Sequence, residues 1–285
     1  MKIFFVSKIR FFILLSFLLT SNLHSQGPFI VTGVPLESGM FALFTSVLGT
    51  LFLYEGGDYA GVKIDLNKGV YLDPQRGPNW WEYFFEPINI GNERAQKYYF
   101  NADEIRILWV WGFQLSRERS YELIQKYVHV KKHIQMEVDE FCEKNFINSF
   151  VIGIHHRGTD KITEAAIVSF EKTFNTLNSI ISNLSEADSN SLKIYVATDD
   201  ENFLNQLLDA FPTLTIVYND FIRSKDGTPL HYAQSDYANN YEKGREALLD
   251  CLLLSRCNIL LRPTSSTLSL MSARFNPNIP VISLD

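Results

Sequence analysis

The sequence VIGIHHRGTDK, residues 151–161, joins an apolar run directly to a dense group of His, Arg, Asp and Lys side chains. An apolar run followed at once by charges is typical of a buried β-strand that ends in a loop. In open α/β sheets, ligands lie beyond the carboxyl ends of the strands. Arg157 offers a forked guanidinium to anionic oxygens, with His155 and Lys161 beside it, so the stretch predicts an anion site. The alternative is an ordinary strand followed by a solvated turn.

From residue 147 onward, short apolar runs alternate with longer amphipathic stretches. The pattern predicts strands at 150–154, 193–197, 215–218, 259–261 and 281–284, and helices at 165–184, 201–211, 241–256 and 267–275. Such alternation predicts a parallel sheet with helices on both faces. Polar residues follow three of these strands, at 155–161, 198–200 and 263–266, so we expect them to meet at one edge of the sheet.

The preceding part of the chain is rich in glycine, proline and aromatic residues up to about residue 100. Residues 39–54 are almost entirely apolar and predict a buried helix, and residues 62–65 predict a short strand. The aromatic run at 79–87 indicates a packing block, with a sugar-contacting wall as the alternative. Residues 116–145 predict one long helix.

The amino terminus has the pattern of a targeting segment. Lys2, Lys8 and Arg10 are followed by an apolar stretch at 11–19 and a polar stretch at 20–26. The apolar stretch is short for a transmembrane helix and suits a secretory signal peptide, residues 1–25. We therefore expect a protein of the secretory pathway or an exported one. The alternative is an uncleaved anchor, which would be the chain's contact with a membrane.

Composition excludes several classes of protein. The net charge is −6, with 26 basic and 32 acidic residues, and no run of Lys or Arg forms a stripe that would suit a nucleic acid. Three cysteines do not make a disulfide framework. No CxxC or HExxH spacing supports a zinc site. Any anion must therefore be bound by a local cluster of positive charge.

Asp250 is unusual for its surroundings. It lies in the sequence ALLDCLLL, residues 247–254, which predicts a helix that is apolar all round and therefore buried. A carboxylate in such a place is costly unless it is hydrogen-bonded. Asp250 would accept either from the protein itself or from two N–H groups of a purine such as guanine.

Three further groups follow predicted strands or begin predicted helices. The sequence Thr-Ser-Ser at 264–266 is either a helix cap or a phosphate cradle. Asp199 and Asp200 are either a cap or a pair of metal ligands between nucleotide phosphates, although the His–Arg cluster argues against a need for metal. Glu164 is either a partner of the helix dipole or a general base.

Residues 151–285 resemble the GDP-fucose fucosyltransferases, most closely the α1,6-fucosyltransferase and nodulation-type enzymes. The α1,2- and protein O-fucosyltransferases are more distant relatives. Four segments carry the resemblance, in the same order: GIHHRGTDK at 153–161, IYVATDD at 194–200, GREALLD at 244–250 and TSS at 264–266. The first segment matches the HxRxxD pattern with the family's TDK ending. The amino-terminal half is only loosely similar, with residues 33–39 in place of a glycine-containing opening loop.

The resemblance implies an α/β, GT-B-like fold of two Rossmann-like halves, with parallel sheets flanked by helices. Residues 27–146 would form the acceptor-side domain, and residues 147–285 would bind the nucleotide sugar. GDP-fucose would be the donor substrate, without a metal or other cofactor. Fucose would be transferred to a glycan or protein acceptor with inversion at the sugar carbon.

The same resemblance implies roles for individual residues. Arg157 would bind the β-phosphate and stabilise the leaving GDP, and Glu164 or Asp160 would take the acceptor proton. Asp250 would accept from guanine, and Ser265 would bind phosphate. The residues predicted to contact the nucleotide sugar are His155, Arg157, Lys161, Asp199, Asp200, Asp250, Thr264, Ser265 and Ser266.

Two positions depart from the α1,6 pattern. Gly158 stands where those enzymes carry a second Arg, and Glu164 lies one residue nearer to Lys161. The first departure keeps open a catalytically inactive protein of the same fold that binds a sugar nucleotide or a glycan. A different nucleotide sugar as donor is another alternative. A hydrolase that binds a metal through His155, His156 and Asp160 is a third.

Overall fold

The computed structural model describes residues 27–32, 38–158, 168–227, 230 and 239–285. The predicted signal peptide lies outside these residues, as do Asp160, Lys161 and Glu164. In the part of the chain that is described, no helix has both the length and the apolar character needed to cross a membrane.

The described residues form nine strands and ten helices. The strands are β1 (Phe29–Thr32), β2 (Gly61–Ile64), β3 (Asn89–Gly91), β4 (Lys97–Tyr99), β5 (Phe150–His156), β6 (Leu192–Thr198), β7 (Thr215–Val217), β8 (Ile259–Arg262) and β9 (Val281–Ser283). The helices are α1 (Met40–Glu55), α2 (Trp81–Phe84), α3 (Ala102–Gln114), α4 (Arg117–Tyr127), α5 (Lys132–Asn145), α6 (Phe170–Ile181), α7 (Glu186–Asn190), α8 (Glu201–Ala210), α9 (Asn240–Ser255) and α10 (Thr267–Phe275).

The carboxyl-terminal sheet is parallel throughout, as the alternating pattern predicts. Its five strands lie in the order β7-β6-β5-β8-β9. The chain moves outward from β5 through β6 to β7 and then returns to the other side of β5 with β8. The direction of winding therefore reverses between β5 and β8, and such a switch point leaves a crevice at the carboxyl ends of the strands.

The amino-terminal sheet has four strands in the order β3-β2-β1-β4. β1 pairs in parallel with both β2 and β4, whereas β3 pairs antiparallel with β2. The expectation of parallel sheets is thus met by three of the four strands. A single antiparallel strand at the edge of an otherwise parallel sheet is common, because an edge strand needs only one partner.

The side chains of β5 alternate between two hydrophobic clusters. Ile152 and Ile154 pack with residues of α6 and α8, whereas Val151 belongs to the cluster that includes α9. Gly153 is required on the α9 side, because an added Cβ would lie 2.8 Å from Sγ of Cys257. This alternation places the next two residues of β5, both histidines, on opposite faces of the sheet.

The two parts of the chain share one continuous core. The larger hydrophobic cluster includes residues of α1 and β2 together with residues of α9 and α10. Arg274 of α10 is buried and donates to three carbonyl oxygens at the end of α3. Arg117 of α4 donates in return to three carbonyl oxygens at or beyond the end of α10. Each arginine thus satisfies carbonyl groups that a helix end leaves unpaired. The domain boundary at 146–147 stays a prediction.

The prediction of one helix over residues 116–145 is wrong. The helix is interrupted between α4 and α5, where the chain pairs with the aromatic segment after α2. Lys131 donates its backbone N–H to Phe84, and Glu86 donates its own to His129. These tertiary hydrogen bonds outweigh the local helical pattern. The aromatic segment itself is a packing block, since Trp80 and Trp81 are buried.

Two boundaries also differ from the sequence pattern. Between the helix predicted at 165–184 and the strand predicted at 193–197 lies the short helix α7, which Ser185 caps by accepting from the backbone N–H of Asp188. In the described residues α6 begins after Ser169, whose hydroxyl accepts from Lys172 N–H. The predicted start of that helix at 165 lies outside the described residues.

Candidate active site

A cleft of about 150 Å³ lies between the amino-terminal half and the carboxyl edge of the second sheet. Gly39 and Met40, at the start of α1, and Tyr71 contribute one wall. The Tyr71 hydroxyl accepts from Met40 N–H at 3.1 Å, which fixes the first turn of α1 against that wall. The opposite wall brings together four residues predicted from the sequence: His155, Arg157, Asp199 and Asp250.

His155 is buried at the end of β5 and borders the cleft. Its Nδ1 lies 2.9 Å from the hydroxyl of Ser269 on α10. Burial, helped by the positive charges of Arg157 and Arg262, holds the pKa of His155 well below its ordinary value. The imidazole is therefore neutral at pH 7.

His156 points to the other side of the sheet and takes no part in the cleft lining. Its ring stacks on Phe203 of α8, with centroids 3.7 Å apart and an interplanar angle of 2°. Burial lowers the pKa of His156 to about 4, although the Asp200 carboxylate 3.9 Å away opposes the shift. Because β5 sends the two histidines to opposite faces, they cannot bind one metal ion together, which removes the geometric basis of the metal-hydrolase alternative.

Asp199 and Asp200 accept hydrogen bonds from different parts of the backbone. Asp200 caps α8, since its Oδ1 accepts from the backbone N–H groups of Asn202 at 2.8 Å and Phe203 at 3.3 Å. Asp199 borders the cleft and accepts at 2.9 Å from the N–H of Gly158, which fixes the backbone of that residue, two positions after β5. No group of three or more His, Cys, Asp or Glu side chains within the described ranges is arranged to hold a metal ion.

Gly158 is packed against the Asp200 carboxylate. A Cβ added at Gly158 would come within 2.4 Å of Oδ2 of Asp200. Any side chain at this position, including the arginine of the α1,6 enzymes, therefore requires Asp200 to move. A side chain at residue 158 and the Asp200 side chain in its capping position therefore exclude each other sterically.

We expect Gly158→Ala to lower the free energy of unfolding by about 1–3 kcal/mol, the usual cost of overpacking. In an Asp200→Gly background the same substitution should cost much less, because both the carboxylate and the Asp200 Cβ, which would lie 2.8 Å from the added Cβ, are gone. Urea unfolding of the four proteins in this double-mutant cycle measures the coupling. Equal costs in the two backgrounds would show that the contact between residues 158 and 200 has no energetic role.

Asp250 lies on the face of α9 that borders the cleft. Its Oδ1 accepts from the Tyr195 hydroxyl at 2.7 Å and from Asn219 Nδ2 at 3.3 Å. Burial raises the pKa of Asp250 to about 6 in spite of these two hydrogen bonds. The protein thus supplies partners for Oδ1, as the first alternative drawn from the sequence expects, and the contact with a purine stays a prediction for a residue of the cleft lining.

The segment 264–266 leads into α10, whose first residues, Thr267 and Leu268, border the cleft. Thr264 donates both its N–H and its hydroxyl to the Asp285 carboxylate, at 2.8 and 2.9 Å, so this residue has a partner within the protein. Ser266 occupies the cap position of α10 without a capping hydrogen bond, and its buried Oγ has no partner among the described residues. Asp200, Thr264, Ser265 and Ser266 are not part of the cleft lining.

Two charged residues of the cleft were not predicted. Lys243 lines it two turns before Asp250 on α9, and Glu246 one turn before; burial lowers the pKa of Lys243. Residues at i, i+3 and i+7 share one face of a helix, so the sequence does hold this signal once Asp250 is assigned to the site. Tyr71, from the other wall, has no comparable signal in its neighbourhood.

Comparisons with known proteins agree with this architecture. The chain is similar to the crystal structure of fucosyltransferase NodZ from Bradyrhizobium, with 17% identity and a TM-score of 0.61 over 92% of this chain and 97% of that one. A NodZ α-1,6-fucosyltransferase co-crystallized with GDP shows 17% identity and a TM-score of 0.60, over 92% and 96% of the two chains. POFUT1 in complex with GDP shows 10% identity and a TM-score of 0.53, over 92% and 99%.

The GT-B-like fold is that of these fucosyltransferases, and the sequence match to the NodZ family, whose Bradyrhizobium structure is a fucosyltransferase, defines the class: a glycosyltransferase of the GDP-fucose fucosyltransferase superfamily, as the sequence motifs predicted. The sequence model of the nodulation protein Z (NodZ) family matches residues 104–285, which is more than half of the chain. The chain therefore belongs to the NodZ family.

Proposed function

We propose that the protein transfers fucose from GDP-fucose to a hydroxyl group of a glycan or protein acceptor, with inversion and without a metal ion. The observation that carries this proposal is the convergence of Arg157, Asp250 and the start of α10 on one cleft in a member of the NodZ family. A guanidinium and a helix N-terminus both favour a diphosphate, and a carboxylate suits the N–H groups of guanine.

Departure of GDP is the step at which the protein contributes most. As the bond between fucose and the β-phosphate breaks, negative charge grows on the phosphate oxygens. Arg157, which directly follows a buried strand and borders the cleft, would stabilise that charge together with the positive end of the α10 dipole. The acceptor hydroxyl attacks the anomeric carbon from the opposite side, and its proton passes to Glu164 or Asp160, which lie outside the described residues.

A binding protein of the same fold is the second candidate, because Gly158 lacks the second arginine of the α1,6 enzymes. Release of GDP from GDP-fucose, measured with a mixture of glycan and glycoprotein acceptors, distinguishes a transferase from a binding protein. Turnover supports the transferase. Binding of GDP-fucose without turnover in any acceptor mixture would favour the binding protein.

We expect turnover to persist in the presence of a chelator. The cleft offers cationic and helix-dipole groups for the diphosphate, so the proposed mechanism needs no divalent cation. The measurement is the rate of GDP release with excess EDTA and after addition of magnesium or manganese. Loss of activity with EDTA and its return with the metal would overturn the metal-free mechanism.

Guanosine affinity should depend on pH through Asp250. The pKa of this carboxyl group is raised to about 6, so it is ionised above pH 7 and protonated below pH 5. Only the carboxylate can accept both guanine N–H groups, and affinity should therefore fall as the pH drops through 6. Guanosine is the right probe because it has no phosphate that titrates in this range. Calorimetric titration of wild type and Asp250→Asn tests this, since the variant should show a flat profile. A pH-independent wild type would exclude Asp250 as the guanine acceptor.

A further inference from the structure

Ser269 connects His155 to a buried arginine. The Ser269 side chain is fully buried on α10, 2.9 Å from His155 Nδ1 and 3.1 Å from Arg262 Nε. Arg262 is itself fixed at the end of β8, because its Nη2 donates to the carbonyl oxygens of Thr264 and Ser266 at 3.0 and 2.8 Å. The three side chains form a chain of hydrogen bonds that runs from Arg262 at the end of β8 to His155, which borders the cleft.

The direction of each hydrogen bond follows from what each group can do. An arginine has donors and no acceptor, so Arg262 donates to Ser269 Oγ. The hydroxyl proton of Ser269 then needs an acceptor, and its second partner among the described residues is His155 Nδ1. If His155 donated from Nδ1 instead, the buried hydroxyl proton would have no acceptor, which costs about as much as a lost hydrogen bond.

The pKa of His155, held well below its ordinary value by burial, means that the ring carries a single proton at pH 7. With Nδ1 accepting from Ser269, that proton is on Nε2, the other nitrogen of a ring that borders the cleft.

We propose that Ser269, oriented by Arg262, is a positioning residue that keeps the proton of His155 on Nε2, where the ring donates it to a phosphate oxygen of a nucleoside diphosphate in the cleft. This inference rests on the proposed function and adds a residue to it. His155 thereby becomes a hydrogen-bond donor of fixed direction that stays neutral, in contrast to the charged donor Arg157 two residues further along. A donor held in place before the ligand arrives loses little freedom on binding.

Ser272 supplies a matched control. It is a second fully buried serine on α10, and its hydroxyl donates to Leu268 O rather than to a histidine. Ser272→Ala therefore removes a buried hydroxyl from the same helix without touching His155. His155→Gln and His155→Asn form a second pair, because glutamine places its amide nitrogen near the position of Nε2 and asparagine near that of Nδ1.

The first arm of the experiment needs no ligand. In protein labelled with ¹⁵N-histidine, long-range ¹H–¹⁵N spectra at pH 7.5 distinguish the two neutral tautomers from the imidazolium, and His155→Gln assigns the signal among the six histidines of the chain. We expect the proton on Nε2, and a shifted Nδ1 resonance in Ser269→Ala but not in Ser272→Ala. A proton on Nδ1, or an unchanged spectrum in Ser269→Ala, would overturn the proposal.

The second arm measures affinity for GDP and for guanosine by calorimetric titration. Ser269→Ala should weaken the affinity for GDP about five- to ten-fold and leave the affinity for guanosine unchanged. The His155→Gln variant should bind GDP more tightly than the His155→Asn variant. Equal losses for the two ligands, or for Ser269→Ala and Ser272→Ala, would overturn the phosphate contact. A wild type with the proton on Nε2 that binds no GDP would overturn the proposed function while the proton assignment stands.

Discussion

Arg157→Lys should lower turnover with GDP-fucose by about two orders of magnitude, the scale of one lost transition-state donor. Lysine keeps the positive charge but loses the planar fork that can hold two phosphate oxygens at once. Since negative charge on the departing diphosphate grows during the reaction, the fork acts mainly on the transition state. Binding of GDP-fucose should therefore fall much less than kcat. Steady-state kinetics and calorimetric titration of the same preparation measure the two effects.

The control is Arg256→Lys, at the end of α9. Arg256 is largely exposed and pairs with Asp139, so its replacement should leave turnover unchanged. A structural or solvated role for Arg157 predicts either normal turnover in a folded variant or a protein that does not fold. Wild-type turnover in an Arg157→Lys variant with a native melting curve would remove the central residue of the mechanism.

Asp250→Asn should weaken GDP binding by about 1.5–3 kcal/mol, or roughly 10- to 150-fold in Kd. This is the cost of losing hydrogen bonds to a charged group. The substitution keeps an oxygen that can accept from Tyr195 and Asn219, so the packing of α9 is little disturbed. What it removes is the carboxylate that can accept from two guanine N–H groups. Titration calorimetry with GDP and guanosine should show the same loss for both, because the contact is with the base.

Tyr195→Phe tests the other role of this carboxylate. It removes the hydroxyl that donates to Asp250 within the protein and leaves the carboxylate in place. We expect its GDP affinity to stay within a few-fold of wild type. If Tyr195→Phe lowers the affinity for GDP as much as Asp250→Asn does, or if the Asp250→Asn variant binds GDP normally, Asp250 has a structural role and does not contact the nucleotide.

The carboxyl-terminal half was predictable because local pattern and tertiary structure agree there. Each strand predicted between residues 150 and 284 is a strand of the parallel sheet, and Arg157 and Asp199, which follow β5 and β6, border a common cleft. The amino-terminal half was less predictable because long-range pairing decides it. The break between α4 and α5 comes from hydrogen bonds to residues 84–86, and the residues at the break carry no local helix-ending signal that would predict it.

The composition of the site was predictable in part. His155, Arg157 and Asp250 stand out as polar residues in apolar surroundings, which is a local signal. The direction of each side chain is not local: the alternation of β5 sends His155 to the cleft and His156 to Phe203. The tight contact between Gly158 and Asp200, and the link from Ser269 to His155, join segments distant in sequence and are visible only in the folded chain.

The most direct test of the central claim is the melting temperature of the wild-type protein with a panel of nucleotides and nucleotide sugars. A ligand that binds only the folded state stabilises it by about 2.7 kcal/mol at one hundred times its Kd. We predict that GDP and GDP-fucose raise the melting temperature, that UDP, ADP and UDP-sugars do not, and that Asp250→Asn abolishes the difference between GDP and UDP. No shift with GDP or GDP-fucose, or a larger shift with a uridine nucleotide, would contradict it.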